Sequence, residues 1–132
     1  MTERINEILK KTANAHLAVV DEQGYPVVMV MSVINPENLN EVYMSTTLDS
    51  NKSKYLQKNN KASVCINTKE NNITLVGEAQ ILTDQETKSK CWQNWFISHY
   101  KDGETDPNYC IIKFNTKRVA AFVDGQSAAF EV

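Results

Sequence analysis

The stretch Asp49-Ser50-Asn51-Lys52-Ser53-Lys54 breaks a local rule. Ser50 is a strong N-cap, so a helix is predicted to start after it. Helix N-termini carry partial positive charge and favour Asp or Glu in the first turn; lysines there cost from a few tenths to about 1 kcal/mol each. Lys52 and Lys54 occupy those places. Free backbone amides, a serine hydroxyl and a lysine converging on one point are what a phosphate monoester needs. Charge patterning leaves a second reading open, a surface helix with solvated lysines. The hydroxyls of Ser45-Thr46-Thr47 read either as further support for an anion or as polar residues leaving a strand.

Other chemistry is harder to find. His16 and His99 are too far apart to form a metal pair on one element, and each reads more readily as a structural or surface residue. Cys65, Cys91 and Cys110 lack CxxC spacing, so neither a disulfide framework nor a metal site is expected. They read as small buried hydrophobes in a reducing compartment. Neither a nucleophile elbow nor a glycine-rich phosphate loop occurs, which argues against a hydrolase or a nucleoside-triphosphate enzyme. No residue is singled out as catalytic.

The elements that must position the Ser50 region follow from periodicity. Ile5, Ile8 and Leu9 have helical spacing, with Thr2 available as N-cap. Residues 16–21 and 27–34 read as strands of a hairpin turning at Glu22-Gln23-Gly24. The second of these is apolar on both faces, so it must be covered on both sides. Asn35-Pro36 ends it. Strands are predicted at 41–45, 61–68, 73–82, 109–114 and 118–124, and a short helix at 51–58. Within 73–82, residues Ile73, Leu75, Gly77, Ala79 and Ile81 share one face. Thr83 and Glu86 form a capping box that opens a helix running to about Tyr100, with Lys88, Trp92, Trp95, Phe96 and His99 as its stripe. No role is assigned from Gly125 onward.

The whole reads as mainly β (α+β): a barrel of about six to seven antiparallel strands with three peripheral helices, one domain over residues 1–132. The formal net charge of −2 argues against a nucleic-acid surface, so an anion site must be local. The polar N-terminal residues carry no signal-peptide core, and no apolar run spans a bilayer. A cytoplasmic protein with no membrane contact is expected.

Four passages, in order, resemble the pyridoxamine 5'-phosphate oxidase-like FMN-binding split barrels, in particular the bacterial general stress protein group. They are Tyr25-Pro26-Val-Val-Met-Val-Met-Ser32; Val42-Tyr-Met-Ser-Thr-Thr-Leu-Asp-Ser-Asn-Lys52 with Leu56 to Val64; Thr74-Leu-Val-Gly-Glu-Ala-Gln80; and Trp92-Gln-Asn-Trp-Phe96 with Asp106-Pro-Asn-Tyr109 and Phe114-Asn-Thr-Lys-Arg-Val119. The resemblance implies flavin mononucleotide (FMN) as cofactor and a homodimer with flavin sites at the subunit interface. One face of the doubly apolar strand would then meet the partner. The family's serine-arginine-lysine phosphate motif falls on Ser50, Asn51 and Lys52, with Asn51 at the arginine. Its flavin-contacting strand falls on Val28, Met29, Val30 and Met31, and its lead into the phosphate loop on Met44, Ser45 and Thr46. Asn72 takes the place of a fifth-strand glutamine. Trp92 and Trp95 could each face flavin, core or partner, and Trp95 is counted among the cofactor contacts. The implied function is a low-specificity flavin-dependent oxidoreductase or stress-related redox protein; the alternative is a non-catalytic holder of a flavin or phosphorylated ligand. The oxidase proper ends in a tryptophan-arginine-leucine-histidine segment where this chain reads Ser127-Ala-Ala-Phe-Glu-Val132, so vitamin B6 oxidation is not expected.

Overall fold

The computed structural model describes residues 1–34 and 36–132; the expected strand stop at Asn35-Pro36 falls in part on Asn35, outside the described residues. The elements run α1 (Thr2–Lys10), β1 (Asn14–Val20), β2 (Pro26–Ser32), β3 (Glu41–Thr47), α2 (Asn51–Lys58), β4 (Lys61–Asn67), β5 (Asn72–Leu82), α3 (Gln85–Cys91), β6 (Tyr109–Val123) and β7 (Gln126–Glu131). Short 3-10 helices cover Asn94–Ser98 and Gly103–Thr105. The strands form one antiparallel sheet in the order β2-β1-β4-β5-β6-β3, with β7 added to β6. This is the expected mainly β split barrel with three peripheral α-helices.

Alternation explains the curl. Leu17 and Val19 of β1, Val42 and Met44 of β3, Val64 of β4 and Leu75 of β5 all point inward and are buried. Ile5 and Leu9 of α1, both fully buried, close one end of that core. The sheet returns on itself where β2 meets β3. Among the described residues that meeting consists of one bridge, Val33 to Met44, and one hydrogen bond, Ile34 N–H to the Tyr43 carbonyl at 2.8 Å. Beyond it the two strands part, and the split in the barrel is this open seam.

Glycine is needed at one strand position. The β5–β6 register shifts between Val76 and Gly77, and a Cβ on Gly77 would run into the Asn115 carbonyl. Only glycine lets the two backbones approach so closely there.

β6 differs from expectation in length. The two strands predicted at 109–114 and 118–124 are one strand of 15 residues, paired with β5 from Ile111 to Phe122, with β3 beside its first half and β7 beside its second. β7 itself is a strand where no role was expected. Asp124 and Gly125, at φ 53° and 78°, form the two-residue turn before it.

The start and end of the third helix also depart from expectation. Asp84, not Thr83, is the N-cap: its carboxylate accepts from the Thr87 N–H at 3.0 Å and from the Thr87 hydroxyl at 2.7 Å. Aspartate caps more strongly than threonine, which decides the start. The helix ends at Cys91, where Trp92 turns to extended backbone (φ −62°, ψ 136°). That break lets Trp92, Phe96 and Tyr100 converge on Tyr109 in a second, aromatic core, with Trp92 and Phe96 edge to face at 5.4 Å. A continuous helix would have kept Trp95 and His99 on the same stripe; both are instead exposed. For α1 the observed N-cap is Met1, without a side-chain hydrogen bond, rather than Thr2, which is the first residue of the helix.

Candidate functional site

The open seam leaves a cleft between the ends of β2 and β3. It measures about 290 Å³ and is lined by Val30, Met31 and Ser32 from β2, Ser45, Thr46 and Thr47 from β3, Lys52 from α2, and Trp95, His99 and Tyr100 from the segment after α3. A wider hollow of about 670 Å³ lies at Lys10, Thr12, Glu37 and Asn38, and it holds none of the residues singled out by sequence.

The α2 end of the cleft is set by hydrogen bonds local in sequence. Ser50 caps the helix: its Oγ accepts the Ser53 N–H at 3.3 Å, and its carbonyl accepts the Lys54 N–H at 3.2 Å. The Ser53 hydroxyl, fully buried, donates to the Thr47 carbonyl at 2.8 Å and lies 2.9 Å from the Ser50 hydroxyl. The Ser50 N–H turns back to the same Thr47 carbonyl at 3.2 Å. Among the described residues this leaves the N–H groups of Asn51 and Lys52 without an internal acceptor, as the first turn of a helix must unless something outside it accepts them. No acidic residue stands in that turn. The result is a positive helix end with two open amides and a half-buried lysine beside the strand-end hydroxyls.

The opposite side of the cleft is aromatic. Trp95 packs edge-on against Phe96 at 4.6 Å and against His99 at 5.8 Å, and its indole N–H donates to the Gln93 amide oxygen at 2.9 Å. Burial pushes the Tyr100 phenol up from its ordinary pKa, with the Ser45 hydroxyl working against the shift. Behind β3, burial also pushes the Cys110 thiol up to about 11, which favours its protonated form near neutrality. Chemically, the cleft can accept an anion at the α2 end and a planar apolar group along Val30 and Trp95.

Of the residues singled out by sequence, Val30, Met31, Ser45, Thr46, Lys52 and Trp95 line this cleft. Ser50 and Asn51 sit at the helix end that forms one side of it, Ser50 as the cap. Met29 packs against the barrel core, and Val28 points outward at 62% exposure. Asn72 is elsewhere. It opens β5 opposite Asn67 and Phe122, whereas Leu82, at the other end of that strand, pairs with Ile111 and thereby reaches the Ser45 neighbourhood. Ten strand steps of ~3.3 Å separate Asn72 from Leu82, so Asn72 does not reach its own chain's cleft. Ser32, His99 and Tyr100 also line the cleft and were not expected there, while Thr47, read from sequence as either anion support or a strand-exit residue, lies in it. For His99 and Tyr100 the signal was masked by the assumption of an unbroken helix to Tyr100.

One face of the sheet is left bare beside the cleft. Val28 and Val30 of β2, with Tyr25 before them, are more than 60% exposed, and Phe122 of β6 is 48% exposed. Val28 and Val30 lie opposite Ala18 and His16, themselves opposite Ser63 and Cys65, so the face runs across β2, β1 and β4 with mostly small or apolar side chains.

Solved structures with this fold include the following three. A protein related to general stress protein 26, of the pyridoxinephosphate oxidase family, from Clostridium acetobutylicum superposes with a TM-score of 0.85 at 23% identity, covering 96% of this chain and 91% of its own. General Stress Protein 26 from Bacillus anthracis gives 0.83 at 23% identity, with 98% and 97% covered. A nimc/nima family protein from Clostridium acetobutylicum gives 0.75 at 20% identity, with 99% and 93% covered. No match is found among curated proteins. The family model described as "Pyridoxamine 5'-phosphate oxidase like" matches residues 1–130, and the chain belongs to that family.

Proposed function

We propose that this chain is an FMN-binding flavoprotein, acting as a homodimer in flavin-dependent oxidoreduction of low specificity. The observation that carries the reading is that one cleft brings Lys52 and the hydroxyls of Ser45 and Thr47 beside a helix start whose Asn51 and Lys52 amides are open, facing an apolar side of Val30 and Trp95. That donor set fits a phosphate monoester at one end and a flat ring at the other. FMN, when bound, supplies reversible hydride and electron transfer; the chain's part is to hold and orient it. Ser50 keeps the helix start open toward the phosphate, Lys52 neutralises it, and the apolar wall excludes water from the ring.

A cleft of about 290 Å³ is at the lower edge of small-molecule sites, which run from ~300 to ~1,000 Å³, so one chain holds part of the cofactor. The bare face around Val28 and Val30 supplies a reason for the rest: a second copy seated there would close the cleft and cover the exposed valines. Asn72, remote from its own cleft, would contact the flavin of such a partner's site. The three free cysteines, two of them buried, accord with a reducing cytoplasm. Among the described residues no helix is long and apolar enough to cross a membrane.

A second reading, a flavin holder without turnover, is favoured by one observation: an uncharged amide, Asn51, stands at the helix start where a second cation would grip the phosphate. Reduction of bound flavin by NADH or NADPH with transfer to an acceptor separates the two.

The test is the visible spectrum of freshly purified protein, with the mass of any ligand that denaturation releases and the sedimentation mass of the native particle. A two-banded yellow spectrum, a released mass of FMN and a particle of twice the chain mass are expected. A colourless protein that also fails to bind added FMN would sink the cofactor assignment, and a monomer that binds FMN fully would sink the interface.

A further inference from the structure

Lys88 is a buried cation that the cleft does not use. It is 5% exposed, its Nζ donates to the Asp106 carbonyl at 2.9 Å, and it stands over the Tyr109 ring at 5.4 Å. The Tyr109 hydroxyl in turn donates to the Lys88 carbonyl at 2.8 Å. A lysine is buried at considerable cost unless its charge is met by hydrogen bonds, and here its bond goes to one loop, residues 102–108. Asp106, itself 8% exposed, organises that loop: its carboxylate accepts from the Asn108 N–H at 2.9 Å and the Asp102 N–H at 3.3 Å. Asn108 then extends the β3–β6 pairing one residue beyond Thr47 and Tyr109. Its carbonyl accepts the Leu48 N–H at 2.8 Å, and its side-chain oxygen accepts the Asp49 N–H at 3.2 Å.

Leu48 and Asp49 are the two residues between the end of β3 and the cap Ser50. They are therefore the segment whose direction decides where the open amides of Asn51 and Lys52 point. We propose that Asn108, held in place by Asp106 and Lys88, is a positioning residue for the phosphate subsite at the start of α2. The inference rests on the reading of the cleft as an FMN site. Asn108 touches no ligand in this scheme. By occupying both amides ahead of the cap with one residue, it fixes the path of the chain into the helix from outside the helix. Small misplacements of such donors are felt strongly in binding.

A positioning role is separable from a structural one because FMN and riboflavin differ by the phosphate alone. The experiment is a fluorescence titration of the wild-type protein and Asn108→Ala with both compounds, alongside thermal unfolding without ligand. Wild type should prefer FMN; Asn108→Ala should lose about ten-fold in FMN affinity while riboflavin affinity stays within about two-fold. A variant that keeps the wild-type preference overturns the inference and leaves the FMN site standing. Parallel loss of both ligands also overturns it, since the residue would then act on the barrel as a whole. A wild type that does not prefer FMN over riboflavin removes the phosphate subsite itself, and the inference with it. If the alanine variant does not fold, Asn108→Ser, polar but with an oxygen too short to reach the Asp49 amide, carries the same comparison.

Discussion

The starts of α2 and α3 solve the same problem in opposite ways. Each has a polar cap accepting the N–H three residues on, Ser50 from Ser53 and Asp84 from Thr87. At α3 the cap is a carboxylate, a second acidic residue, Glu86, sits in the first turn, and the Thr87 hydroxyl adds another bond to the same oxygen. Charge and dipole agree, and the start is satisfied by its own side chains. At α2 the cap is neutral, the first turn holds Lys52 and no acid, and two amides are left open where Lys52 lines a cleft. A helix end left electrostatically unmatched beside a cleft signals a charge that comes from outside. On the proposed function, the contrast separates a start that stabilises the fold from one that receives the phosphate.

Breaking the α2 side should have the largest effect. Lys52→Ala should lower FMN affinity by ~1.5–3 kcal/mol, the worth of charge-assisted contacts. It should leave the unliganded protein as stable as before, or more stable by a few tenths to about 1 kcal/mol. Titration and thermal unfolding read the two separately, and unchanged affinity would refute the phosphate assignment. The α3 side should behave inversely. Asp84→Ala should lower the unfolding temperature with no change in FMN binding. The Thr87 amide, followed by the Thr87 hydroxyl, holds the Asp84 carboxyl below its ordinary pKa. A depressed folded-state value means the cap's contribution is complete above the unfolded pKa of ~3.9 and disappears as pH falls through the lower folded value. The stability gap between wild type and Asp84→Ala should accordingly close on acidification. The smallest effect sharpens the comparison. Asn51→Arg places a second, forked cation at the already positive helix end and should tighten FMN by roughly three- to ten-fold. Weaker binding by that variant would mean that the exposed first turn does not face the phosphate.

Much of this was legible in the residues, and the illegible parts have physical reasons. α2 can be read to the residue because a strong cap and a short polar run bound it, and nothing tertiary overrides them. Strand 73–82 is legible because its buried face alternates without interruption from Ile73 through Ala79. The merged strand β6 was not. Asn115-Thr116-Lys117-Arg118 reads as a break, but pairing with β5 carries the backbone through it. The Asp124-Gly125 turn was in plain view as a hairpin signal, yet the flanking Ser127-Ala-Ala lacks the β-branched residues that mark a strand. The break at Trp92 is a tertiary effect: four aromatic rings gather around the second core, and local helical spacing does not disclose that they must. The Lys52 end of the cleft was therefore visible from local chemistry, while His99 and Tyr100 across from it became visible only through packing.

The 15-residue span of β6 also sets an order of events during synthesis. Its first half completes the sheet beside β3, joining Thr46 to Cys110, and its second half completes β5 and receives β7. Until it leaves the ribosome, the β1–β2 hairpin and β3 have no closed barrel to enter, and the cleft lacks its support. At 5–20 residues per second, the roughly 80 residues between the end of β2 and the middle of β6 take about 4–16 s to make. Through that interval the inward valines of the hairpin lack a closed barrel, in addition to Val28 and Val30, which stay exposed in the finished chain. The hairpin is therefore the part of this chain that most needs protection from other nascent chains.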